Sequence, residues 1–142
     1  MNILLAVDGS DCAHRAVTHL IDHLAPALQQ PPTVHLLHVH PPIPIGRVQA
    51  HLGQETLERY YREESEAQLQ PVAARLSAAG LNVVEHIHVG DPPAIIAKLA
   101  RELACDWVVM GTHGRGAVSA VVLGSVAAKV LHLAERPVLL VK

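Results

Sequence analysis

Five short apolar runs alternate with longer segments of helical character along this chain. The runs lie at Asn2–Asp8, Thr33–Val39, Leu81–Val89, Asp106–Gly111 and Arg136–Lys142. Continuous apolar runs of this length are typical of strands buried on both faces, and strands that alternate with helices are joined by crossovers into a parallel sheet. The pattern therefore predicts a doubly wound α/β domain, with one five-stranded parallel sheet and helices on both faces.

The segments between these runs carry the signals of helix ends. Ser10 can cap a helix after the first run, and Asp91 stands in a capping position before two prolines. A charged helix is predicted from about Leu52 to Ala79, where Gly80 ends it and Pro71 could kink it. Its charged side chains are interpreted as a solvated face. The last helix lies within residues 117–134, and the proline-rich segment after Val39 is predicted to be a long loop.

Length and charge restrict the class of protein. The 142 residues suffice for one domain, which we expect to span residues 1–142. A net charge of −2 and the small number of aromatic residues argue against nucleic-acid binding. No basic leader or apolar run of roughly 20 residues is present, so we expect a cytoplasmic protein without membrane partners. Cys12 and Cys105 form no C-x-x-C motif and are expected to stay reduced.

The sequence contains eleven histidines, which invites a metal-site hypothesis. His19 and His23 are one helical turn apart, and His38 with His40, like His86 with His88, share a strand face. No carboxylate or thiolate pattern completes a tetrahedral set around them. We therefore interpret the histidines as surface or turn residues and predict no metal ligands among them.

A cluster of glycines follows the fourth apolar run. Gly111, Gly114 and Gly116 come directly after it, and Gly124 with Ser125 lies near the start of the last helix. Ligands bind beyond the carboxyl ends of parallel strands, and a helix N-terminus attracts anions. Glycine lets an anion approach backbone N–H groups closely. The pattern predicts a phosphate site, with a tight turn that binds nothing as the alternative, and it matches neither a Walker A loop nor G-x-G-x-x-G.

These residues resemble the nucleotide-binding pattern of universal stress proteins in their ATP-binding branch. The pattern is Gly111-x-x-Gly114, nine residues, then Gly124-Ser125. The resemblance extends over nearly the whole chain, through the segments ILLAVDGS, VGDPPAIIAKLARELACDWVVMGTHGRG and RPVLLVK. It implies a sheet of strand order 3-2-1-4-5 that binds ATP, or another adenine nucleotide, together with Mg²⁺.

The resemblance also implies roles for individual residues. Asp8 would lie near the ribose and phosphates, Val39 would offer backbone to the adenine, and Gly90 would wall the adenosine side. The phosphates would be held by Gly111, Gly114, Gly124 and Ser125. From the residues alone, Asp8 could instead make a local turn hydrogen bond. No role is implied for His113 or Arg115.

The sequence shows no catalytic constellation. Ser10, Ser119 and Ser125 have no evident His–acid partners, and no Walker lysine is present. We therefore expect a small regulator that hydrolyses ATP slowly at most. One alternative is an adenylate-transferring enzyme, although the His-x-Gly-His signature of such enzymes is absent after the first strand. Another is a structural dimerisation module with an unused pocket. The C-terminal strand is predicted to lie at a sheet edge and to form a homodimer.

Overall fold

The computed structural model of this chain describes residues 1–44, 53–116 and 123–142. The five strands are β1 (Asn2–Ala6), β2 (Thr33–His40), β3 (Asn82–Val89), β4 (Trp107–Gly111) and β5 (Val138–Val141). The four α-helices are α1 (Asp11–His19), α2 (Gln54–Ala78), α3 (Pro92–Glu102) and α4 (Ser125–Leu133). A π-helical turn and a 3-10 turn, Leu20–Leu24 and Ala25–Ala27, extend α1. Three sequence-based predictions lie outside the described residues: the loop from residue 45 to 52, the helix start at Leu52, and Ser119.

The strands form one sheet in the order β3-β2-β1-β4-β5. All four pairings are parallel, for example Leu5 of β1 opposite Leu36 of β2 on one side and Val109 of β4 on the other. The predicted fold class and strand order are confirmed. The strand order reverses at β1, so the chain leaves β1 toward a helix on one face of the sheet and leaves β4 toward a helix on the other. Parallel sheets bind ligands beyond the carboxyl ends of the strands at such a reversal.

Helices cover both faces of the sheet, and successive residues of β1 alternate between the two layers. Leu5 belongs to one core cluster and Leu4 to the other, and both are fully buried. The first layer includes Val17 of α1 and Leu76 of α2. The second includes Ile96 of α3 and Val130 of α4. The central strands are thus apolar on both sides, as their continuous apolar sequence predicts.

The helix starts differ in how they are capped. The Ser10 hydroxyl accepts a hydrogen bond from the Ala13 N–H (3.2 Å), so the predicted cap of α1 is confirmed. Asp91 occupies the N-cap position of α3, but its side chain makes no capping hydrogen bond. Pro71 lies inside α2 and does not end it.

The close approach of β4 to α1 depends on Gly111. A Cβ at this position would lie 2.7 Å from the Cβ and 2.8 Å from the carbonyl carbon of Cys12. We expect Gly111→Ala to lower the free energy of unfolding by about 1–3 kcal/mol, because strand and helix must separate. Urea unfolding measures this. At Gly53, a Cβ would meet open space, so Gly53→Ala should cost only about 0.5 kcal/mol as an N-cap change. Equal costs for both variants would show that the contact is not tight.

Candidate functional site

A cavity of about 720 Å³ opens at the carboxyl edge of the sheet. The ends of β1, β2 and β4 line it, together with the first turn of α4 and two side chains of α2, Glu64 and Gln68. One end of the cavity is formed by the glycine loop after β4, and the other by the last residues of β2. A volume of this size is within the range of small-molecule sites.

The glycine-loop end presents backbone N–H groups. The Gly124 N–H donates to the Thr112 carbonyl oxygen (2.8 Å), which ties the start of α4 to the loop after β4. Among the described residues no side chain caps α4, in contrast to α1. The N–H groups of its first turn have no partner in this part of the chain, and the helix dipole places partial positive charge there. A Cβ at Gly124 would lie 3.0 Å from that carbonyl oxygen, so the approach leaves no room for a larger residue.

Asp8 lies against the same loop. Its Oδ1 accepts the Ser10 N–H (2.9 Å), which is the local turn hydrogen bond that the sequence left as an alternative. Its Oδ2 faces Gly114, where a Cβ would lie only 2.7 Å away. The Ser10 hydroxyl donates to the His113 carbonyl oxygen (3.2 Å). Asp8 therefore both closes the turn after β1 and presents a carboxylate oxygen at the cavity.

The structure brings six of the seven implied site residues to this cavity. They are Asp8, Val39, Gly111, Gly114, Gly124 and Ser125. Gly90 is not among the described residues that line it. Its N–H donates to the His40 carbonyl oxygen (3.0 Å), and its φ of +154° suits the turn between β3 and α3. Gly111 lines the cavity, yet the position of its missing side chain faces α1.

The interpretation of the histidines as surface or turn residues is wrong for His38, which is buried within β2. His38 is only 7% exposed, and its Nδ1 donates to the Val7 carbonyl oxygen (2.9 Å). Burial lowers the pKa of His38, which favours the neutral ring. Sequence reasoning also missed two polar residues that α2 brings to the cavity. Glu64 and Gln68 line the cavity from α2, a helix that was interpreted only as a solvated face. Their spacing of one helical turn places both on the same face of α2. It does not reveal which strand that face crosses.

A group of aromatic side chains supports the far end of the cavity. The ring of His40 lies 4.9 Å from that of Tyr61, between centroids, and the Tyr61 hydroxyl oxygen accepts the Ile43 N–H (2.8 Å). The His40 Nδ1 donates to the Pro41 carbonyl oxygen (2.7 Å). His40 and Pro41 line the cavity. The start of the proline-rich segment is thus fixed against α2 as the cavity wall.

Two further searches cover only the parts of the chain that the structure describes. No group of three or more His, Cys, Asp or Glu side chains there is arranged to hold a metal ion. No helix in those ranges has the length and apolar character needed to cross a membrane.

A sequence model described as the Universal stress protein family matches residues 1–142. The chain belongs to the universal stress protein family. A universal stress protein of Thermus aquaticus is 36% identical to it over 141 residues, which cover 99% of this chain and 97% of that relative. The resemblance seen in the glycine loop and the flanking segments is therefore confirmed at the level of the family.

Solved structures of universal stress proteins share this fold. Protein MJ0577 of Methanocaldococcus jannaschii superposes with a TM-score of 0.86 at 30% identity, over 99% of this chain and 94% of that one. The universal stress protein of Archaeoglobus fulgidus in complex with dAMP gives a TM-score of 0.66 at 27% identity, over 100% and 98% of the two chains.

The burial of His38 should make the free energy of unfolding of this universal stress protein depend on pH. Burial lowers the pKa of His38 below its ordinary value of 6.5. As the pH falls below 6.5, the unfolded chain takes up a proton before the folded chain does, so the free energy of unfolding decreases. For this one group the loss between about pH 7.5 and 5.5 is at most about 1.4 kcal/mol.

Urea unfolding at the two pH values tests this dependence. His38→Asn should lose less stability on acidification than the wild type. His14 is exposed, so His14→Asn serves as the control and should keep the wild-type pH dependence. An unchanged pH dependence in His38→Asn would contradict the assignment.

Proposed function

We propose that this chain binds an adenine nucleotide, with ATP and Mg²⁺ as the expected form, and acts as a small cytoplasmic regulator in the stress response. Other proteins would respond to its bound state. The observation that carries the proposal is the cavity of about 720 Å³, which is lined at one end by the glycine loop and the first turn of α4 and at the other by apolar residues of β2 with the rings of His38 and His40. A nucleotide has the matching polarity, with an anionic end and a flat base.

The glycine-loop end is suited to the phosphates. The uncapped first turn of α4 offers N–H donors, and Ser125 adds a hydroxyl at the same place. Gly114 and Gly124 place no side chain of their own between these donors and a ligand. In this proposal Gly111 acts mainly through packing, because its α-carbon is held against α1.

The opposite end is suited to the base. Leu37 and Val39 of β2 form buried apolar surface there. Exposed backbone at the end of a strand can hydrogen-bond to the edge of a base, which is the role proposed for Val39. Gly90 is proposed to act without contacting the nucleotide, by stabilising the turn that follows β3.

The Asp8 carboxylate fits the proposed Mg²⁺. Its Oδ2 accepts no hydrogen bond from the described residues and faces the glycine loop. Carboxylate oxygens are the protein ligands that Mg²⁺ prefers, usually alongside phosphate oxygens and water. When bound, the ion would neutralise phosphate charge beside this carboxylate.

A relative supports the ligand class. The Archaeoglobus fulgidus universal stress protein, 27% identical to this chain, was solved in complex with dAMP. The rival proposal, a dimerisation module with an unused pocket, does not explain why glycines line the end of the cavity where the first turn of α4 begins.

Mass spectrometry of the small molecules released on denaturation tests the proposal. The protein is purified without added nucleotide, and the released fraction is compared with that of Gly114→Val. An adenine nucleotide in the wild type alone is the expected result. If the wild type releases none, and calorimetry with adenosine, AMP and ATP detects no binding, the dimerisation module becomes the better account.

Gly114→Val should abolish nucleotide binding and leave the fold intact. The new Cβ would stand 2.7 Å from the Asp8 Oδ2, and the side chain would occupy the phosphate end. Mg-ATP at about 100 times its Kd should stabilise the wild type by about 2.7 kcal/mol. For a domain of this size, that raises the Tm by roughly 5–10 °C. The variant should unfold cooperatively with no ligand-induced shift. A shift equal to that of the wild type would mean that the loop is only a tight turn.

Hydrolysis of ATP should be slow. A site that binds the ground state and the transition state equally well gives no acceleration of the chemical step. Phosphate release with Mg-ATP should stay far below the typical enzyme turnover of about 10 per second. Asp8→Asn keeps the acceptor for the Ser10 N–H and removes the charge, so it should weaken binding with Mg²⁺ present. Fast turnover that disappears in this variant would reveal a catalytic role for Asp8.

The protein should be a homodimer paired through β5. This strand is at the sheet edge next to β4, so its outer N–H and C=O groups are available to a second copy. Light scattering at micromolar concentration should give twice the chain mass of 15.2 kDa. Leu140 packs against the core, so Leu140→Arg is informative only if the variant still unfolds cooperatively. A wild-type mass of one chain would exclude the dimer.

A further inference from the structure

Arg115 has no role in the site described above, although it lies inside the glycine loop. It stands between Gly114 and Gly116 and lines the cavity. Its side chain is exposed and makes no hydrogen bond or ion pair with any residue in the described ranges. Its guanidinium donors are therefore available to a ligand.

The guanidinium lies over the turn after β1. Its Nη2 is 2.8 Å from the position that a Cβ of Gly9 would occupy. The side chain of Gln68, from α2, reaches the same place. Because Gly9 has a φ of +77° and no side chain, the loop after β4 and helix α2 can meet above this turn. The Arg115 guanidinium thus lies near the turn that follows Asp8, at the phosphate end of the cavity.

The charges of the cavity make this position significant. Asp8 and Glu64 are the carboxylates among the described lining residues, and Arg115 is the only lysine or arginine there. Its charge reaches His38, whose pKa is lowered first by burial and then further by His40 and Arg115. Each phosphate added to a ligand would bring negative charge into a cavity that already holds two carboxylates.

Backbone N–H groups and an arginine differ in reach. The N–H donors of the loop can hold a phosphate only in direct contact with the backbone. The arginine side chain extends beyond the loop and offers a planar set of donors that suits phosphate oxygens. It is therefore placed to contact a phosphate beyond the one that the loop holds.

We propose that Arg115 makes the affinity of the cavity depend on the number of phosphates on the ligand. The inference rests on the proposed nucleotide function and adds a specificity-determining residue to it. Arg115 strengthens the binding of nucleoside diphosphates and triphosphates and contributes little to the binding of the nucleoside. Without it, the site would discriminate weakly among adenosine, AMP, ADP and ATP.

Calorimetric titration with this series of four ligands, in the presence of Mg²⁺, tests the proposal. The variants are Arg115→Gln, Arg115→Lys and the control Arg59→Gln, which removes one positive charge from an exposed position of α2 outside the cavity. We expect Arg115→Gln to raise the Kd for ADP and ATP by about 10- to 100-fold, the value of a charge-assisted hydrogen bond. The Kd for AMP should rise less, and that for adenosine should change less than about twofold.

The variants distinguish a contribution of the Arg115 charge to binding from a contribution of Arg115 to the structure of the loop. Arg115→Lys should restore part of the affinity for ATP, because it keeps the charge and loses the planar donors. Arg59→Gln should bind all four ligands like the wild type. Equal losses for adenosine and ATP in Arg115→Gln would show a structural role and overturn the inference, and so would unchanged affinity for ATP. If the wild type binds none of the four, the proposed function fails as well, so the two failures are distinguishable.

Discussion

The site depends on close backbone contact between the carboxyl ends of β1 and β4. Gly111 lets β4 end directly against α1, and Gly114 lets the following loop lie against Asp8. The Gly124 N–H then ties α4 to the carbonyl of Thr112. Any of these approaches would be blocked by a side chain. The cavity, the orientation of α4 and the position of the Asp8 carboxylate all follow from them.

Much of the fold could be predicted from the sequence because its signals are local. Continuous apolar runs identify the strands, and Ser10 identifies the start of α1. The strand order came from the family resemblance, since periodicity gives no information on which strands are neighbours. Asp91 shows the limit of local signals: it stands at an N-cap position, but nothing in the sequence indicates that its side chain makes no capping hydrogen bond.

The candidate site could be predicted only where the backbone geometry requires particular residue types. The glycines of the loop and the serine at the start of α4 are such residues. Glu64 and Gln68 were missed because their place at the cavity depends on how α2 crosses β2 and β3. That crossing brings residues far apart in the chain into one cavity. Helix periodicity indicates which residues share a face, but not what that face contacts in the folded domain.

The difference in capping between α1 and α4 has a consequence for how an occupied cavity is signalled. Helix α1 carries its own cap in Ser10, whereas no side chain in the described part of the chain caps α4, so an anion at the loop would serve as its cap. The free energy of binding would then stabilise one helix end locally rather than move a domain. A partner protein could distinguish the two states by how often the first turn of α4 opens, even where their average shapes coincide.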